Sequence, residues 1–87
     1  MQVLSLKDIS KEDGFLYYMK KYKAIAVLEL ISKEYEMPVQ FSVETGPLGD
    51  KNIEFEDFSK QLDYPVLPVL KCLKEHVSKM IKDGTLP

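Results

Sequence analysis

Two residues in this chain carry side chains suited to nucleophilic or metal chemistry at a spacing that joins them. Cys72 and His76 stand four apart, which on a helix makes them neighbours on one face. A thiolate beside an imidazole is a nucleophile arrangement, but it needs an orienting third group and an oxyanion site. No third member is evident in the sequence. As metal ligands they are two where a structural zinc takes four. The expectation is a half-buried cysteine beside a border histidine, with no catalytic residue and no metal site.

Carboxylates gather at Asp50, Glu54, Glu56 and Asp57. Alternating on one strand face they could hold a hard cation, yet no calcium-loop motif accompanies them, and a solvated acidic face is expected. Gly46-Pro47-Leu48-Gly49 lacks the Lys-Ser/Thr pair and the strand–loop–helix setting of a phosphate loop, so it reads as a turn. One histidine and no nucleophile motif leave no Ser–His–Asp set to assemble. The chain is therefore expected to be no enzyme, to need no cofactor and to offer no evident small-molecule site.

The element that must position most of these groups is a C-terminal helix over about 68–82. Val69, Leu70, Leu73, Val77 and Met80 recur at steps of three and four, the period of an amphipathic helix. Pro68 suits the first turn, where its missing N–H costs nothing; Tyr64 and Leu67, each before a proline, are expected to be extended. Gly84 can take the left-handed position after the last turn. At 100° per residue, Val69, Leu73, Val77 and Met80 centre the buried side. Lys71, Glu75, Ser78 and Lys82 centre the opposite side, Lys74 and Lys79 flank it, and Cys72 and His76 lie on the border.

With 87 residues the chain is one domain (1–87) with one modest core. Hydrophobic content of 45% with 30% charged residues argues against wholesale disorder. No apolar run approaches the roughly 20 residues that span a bilayer, and no signal-peptide pattern opens the chain. The expectation is a soluble cytoplasmic domain with no membrane partner. A single cysteine excludes an intrachain disulfide.

The net charge of −2 is unevenly distributed: residues 1–33 hold six lysines against four acids, residues 34–63 two against eight, and residues 64–87 four against two. All twelve basic residues are lysine, and arginine is the usual residue for bidentate base and phosphate contacts.

In the N-terminal half, Met1–Leu6 suits a short strand. Ser10 looks like an N-cap with Glu12 and Asp13 in the first turn, and Phe15, Tyr18, Met19 and Tyr22 follow at helical spacing. A first helical segment is expected there, with Tyr17, Tyr18 and Tyr22 as candidates for a protein-contact surface, since tyrosine is favoured at interfaces. Ala24–Tyr35 is apolar nearly all round, and its Ala, Leu, Glu and Lys content favours a second helical segment; a strand at Ala24–Leu30 is the rival, because short apolar runs do not separate the two. Met37-Pro38 closes that segment. Val39, Phe41 and Val43, then Ile53 and Phe55, alternate with polar residues around the turn-rich TGPLGDKN, which reads as a β-hairpin over about 39–44 and 53–56. Asp57–Leu62 is expected to make a short helix or turn with Phe58 and Leu62 inward. The fold class is α+β: two N-terminal helical segments, one β-hairpin and one long C-terminal helix.

From Phe55 onward, Phe58 and Leu62 on a short helix, a turn, and a longer helix ending in Val77, Met80, Gly84 and Leu86 resemble part of a winged helix-turn-helix. That resemblance covers about a third of the chain and implies nucleic-acid binding through Lys71, Lys74, Lys79 and Lys82. It departs from the pattern at Asp63–Leu67, which is long for the turn, and at Pro87, where a wing should begin. A helix followed by VQFSVETGPLGDKNIEFE also resembles the opening of double-stranded-RNA-binding domains, without their lysine-led last helix. The residues together point first to a regulatory or protein-binding module, whose partner is another protein or a second copy, and second to a nucleic-acid binder using the lysine face.

Overall fold

The computed structural model of the chain describes residues 2–12, 19–30, 33–62 and 64–87. Among them are four strands and one α-helix: β1 (Gln2–Glu12), β2 (Met19–Leu30), β3 (Lys33–Thr45), β4 (Lys51–Phe55) and α1 (Val66–Asp83), with a 3₁₀ turn at Ser59–Gln61. The strands form one antiparallel sheet in chain order, and α1 packs its Val69, Leu73 and Val77 on one face of it. The class is α+β, but the N-terminal half is sheet.

The two N-terminal helical segments are thus corrected to strands. In β2, Tyr22, Ala24, Ala26 and Leu28 are buried while Lys21, Lys23 and Glu29 are exposed, a period of two. Ile25 and Val27 occupy two of the outward places and disguise that alternation as a continuous apolar run. Helix propensity loses because β2 is the strand hydrogen-bonded on both sides, to β1 and to β3, along nearly its whole length; it is a weak prior that tertiary pairing overrides. The strand alternative at Ala24–Leu30 is the observed one. Ser10, expected as an N-cap, pairs with Lys23 inside β1. Residues 13–18, which carry most of the first expected helix, lie outside the described residues.

The edge strand β1 is irregular. Its register slips against β2 between Val3 and Ser5 and again between Lys7 and Ser10, each time with one extra residue on β1, and Asp8 in the second slip has φ 52. These are β-bulges, a common device on sheet edges. They bring Val3, Leu6 and Ile9, three apart in sequence, toward the same core.

β3 runs through Pro38, which was expected to end a helix. Pro38 pairs with Ile25, and its carbonyl oxygen accepts from Gln61 Nε2 at 3.1 Å on the side away from β2. In an antiparallel strand a residue's N–H and C=O point the same way, so the missing donor faces an edge. β4 pairs with β3 only from Phe41 onward, and no ladder bond is lost there.

The hairpin forms where the alternation places it, longer on the β3 side. Its loop closes with Gly46 N–H to Asp50 O at 2.7 Å and Gly49 N–H to Gly46 O at 3.0 Å, and Gly49 holds φ 84, open to glycine at no steric cost.

The helix starts two residues before Pro68 and includes Leu67, expected to be extended. Pro68 is its third residue, and the first four N–H groups of a helix have no intrahelical partner anyway. Gly84 ends it in the left-handed region, with its own N–H and that of Thr85 donated back to the last turn.

Under the helix, three rings cross the sheet. Tyr22 stacks on Phe41 with centroids 5.1 Å apart, and Phe41 on Phe55 at 5.0 Å, tying β2, β3 and β4 together. Phe58, ahead of the 3₁₀ turn, is buried in the same core.

This architecture is not a winged helix. The short helix of that resemblance is a single 3₁₀ turn, and strands precede it. The likeness to double-stranded-RNA-binding domains fails at the same place, since a strand, not a helix, precedes the hairpin.

Candidate functional site

The sheet has two faces and, among the described residues, one covering helix. Register and alternation place Ser5 and Lys7 of β1, Lys21, Lys23, Ile25, Val27 and Glu29 of β2, Glu34, Glu36, Gln40, Ser42 and Glu44 of β3, and Glu54 of β4 on the uncovered face. An antiparallel sheet tolerates one wet face, and most of this one is polar. Its centre is not: Ile25 and Val27 lie side by side along β2 with no element above them.

Charge surrounds that centre. Lys7 Nζ reaches over β2 to Glu36 Oε2 at 2.9 Å, and Lys23 Nζ pairs with Glu12 Oε1 at 3.3 Å. The Glu36 hydrogen bond holds the Lys7 ammonium above its usual pKa; both partners are exposed, and such a pair contributes little to stability. Six glutamates (Glu12, Glu29, Glu34, Glu36, Glu44, Glu54) stand against three lysines on this face. Glu29 and Glu34 are directly paired, a like-charge juxtaposition that costs stability.

The opposite pole of the molecule is the outer side of α1. Lys71, Lys74, Lys79 and Lys82 are all exposed there, as the 100° projection places them, while Val69, Leu73 and Val77 are fully buried. Cys72 and His76 lie half-buried at the border. Burial, and then the Lys79 ammonium, hold the His76 imidazolium below the ordinary histidine range. Among the described residues no three His, Cys, Asp or Glu side chains are gathered as a metal ion would need.

Of the three tyrosines singled out for contact, Tyr22 is only 3% exposed and donates its hydroxyl to Pro87 O at 2.8 Å, so it belongs to the core; Tyr17 and Tyr18 lie outside the described residues. The acids Asp50, Glu54, Glu56 and Asp57 are exposed and dispersed over loop, strand and turn. Asp57 Oδ1 accepts the Ser59 N–H at 2.9 Å, which holds its carboxyl below the usual range and starts the 3₁₀ turn. Ile25 and Val27 were missed because their segment was read as helix; the alternation Tyr22-Ala24-Ala26-Leu28 against Lys21-Lys23-Glu29 was the signal available.

Fold and surface together define a two-layer α+β protein, a four-stranded antiparallel meander under one C-terminal helix, with the second sheet face uncovered. Along nearly its whole length the chain belongs to one protein family, designated by a locus label and not by an activity, whose family model matches residues 1–82. No curated protein and no solved structure matches it. No helix among the described residues is long and apolar enough to cross a membrane.

Proposed function

We propose that this chain is a non-enzymatic protein-binding module that docks a partner on the uncovered sheet face. The observation that supports this most is the apolar pair Ile25–Val27 at the centre of that face, ringed by charged residues, the layout of an interface with a dry centre and a polar rim. Six glutamates against three lysines on the same face favour a partner surface that is net basic. They disfavour nucleic acid on this side, where phosphate would meet like charge. The lysine face of α1 lies on the other layer.

Site-specific photo-crosslinking in the native host tests the reading. A benzophenone side chain at position 25 or 27 should yield a discrete adduct, and one at position 78 on the outer side of α1 should not. The adduct should weaken with salt and with Glu36→Lys plus Glu44→Lys. An adduct of twice the chain mass identifies the partner as a second copy. Adducts from position 78 alone, or from none of the three positions, contradict the proposal.

A further inference from the structure

The two layers differ in length. β2 and β3 hold 12 and 13 residues, roughly 40 Å of strand, which matches the 40 Å long axis of the molecule. The 18 residues of α1 span roughly 27 Å. The helix therefore stops short, and past its C-terminal end the covered face opens into a cleft of about 550 Å³. Val43, Ile81 and Leu86 give this cleft an apolar floor, and Tyr22 closes one wall.

Its polar groups are cationic. Lys20 and Lys51 line it, and among the described residues no Asp or Glu side chain does. Lys51 Nζ is held over the sheet by Thr45 Oγ1 at 2.7 Å. Neither lysine belongs to an ion pair; those among the described residues are Lys7–Glu36 and Lys23–Glu12, both on the other face. In the 87-residue chain the competing anion is the carboxylate of Pro87, which Tyr22 engages at the wall. Two ammonium groups against that one carboxylate leave the cleft net positive in a protein whose net charge is −2.

We propose that this cleft binds a small amphipathic anion, its carboxylate or phosphate on Lys20 and Lys51 and a short apolar body on Val43, Ile81 and Leu86. The volume lies within the range of small-molecule sites, and a few placed polar groups over an apolar lining are their usual composition. Charge-assisted hydrogen bonds from two ammonium groups would orient the head. The site lies on the opposite side of the sheet from the docking face and does not depend on that reading.

Titration of the ¹⁵N-labelled chain tests it, with sodium octanoate, octyl phosphate, 1-octanol and inorganic phosphate followed at the amides of Lys20, Val43, Thr45 and Leu86. Octanoate or octyl phosphate should shift these amides saturably, and the tighter of the two names the head group. Octanol, which lacks the charge, and phosphate, which lacks the body, should each bind at least about tenfold more weakly. Lys20→Gln with Lys51→Gln should weaken octanoate about tenfold, the factor for a loss of about 1.4 kcal/mol, while the spectrum elsewhere stays unchanged. Equal responses to octanoate and octanol overturn the proposal, as do shifts centred on Ile25 and Val27, or octanoate binding that the double variant does not weaken.

Discussion

The middle ring of the aromatic ladder gives the sharpest test of how the sheet is held together. Phe41 is 3% exposed and stacks on Tyr22 at 5.1 Å and on Phe55 at 5.0 Å. Phe41→Leu keeps an apolar side chain of comparable reach and removes both ring–ring contacts. Each such pair adds about 0.5–1.5 kcal/mol beyond burial, so the two together should cost about 1–3 kcal/mol. In a chain of this length each kcal/mol moves the midpoint by about 4–8 °C, and the expected fall is about 10 °C. Thermal and urea unfolding followed by circular dichroism would measure it, with the urea slope unchanged if the folded state keeps its shape. A double-mutant cycle with Phe55→Leu should return a coupling of about 0.5 kcal/mol or more. A loss below about 0.5 kcal/mol, with no coupling, would refute the claim that the rings tie the strands beyond their apolar area.

Three further outcomes follow from named contacts. Tyr22→Phe removes the hydroxyl donated to Pro87 O but keeps the ring, and should cost about 1 kcal/mol in the same unfolding assay. Asp8 holds φ 52 in the β1 bulge; Asp8→Gly should be neutral to slightly stabilising, and Asp8→Val should cost about 1–2 kcal/mol, so equal effects would place the bulge elsewhere. His76 has its pKa lowered from 6.5 by burial and Lys79. The unfolded chain therefore takes up the proton first, and stability should fall as pH drops below about 6.5 and level once the folded form also protonates; in His76→Gln that segment of the profile should be flat.

What the sequence revealed depended on whether each element's outer face was polar. The lysine-covered outer side of α1 and the glutamates alternating along β4 left their periods readable, and both elements lie where those periods place them. β2 hid its period because Ile25 and Val27 fill outward positions on the uncovered face, so the residues that make the candidate site interesting are the ones that obscured its strand. β1 hid its period for another reason. Its two bulges turn a two-residue repeat into Val3, Leu6 and Ile9, a spacing of three that does not read as a strand. The cleft had no local signal, because Lys20 and Lys51 lie far apart in the chain and meet only through the β2–β3–β4 register. The lysine face was legible residue by residue, whereas the fold that implied its nucleic-acid role was not the one formed.

The account rests on a strand at residues 19–30 with one side under the helix and the other open. A cysteine scan of positions 22–28 in a Cys72→Ser background, read by the rate of thiol labelling in the folded protein, tests this most directly. Fast labelling at 23, 25 and 27 with protection at 22, 24, 26 and 28 is the predicted result. Labelling that repeats every three to four residues, or protection at 25 and 27 equal to that at 24 and 26, would contradict it.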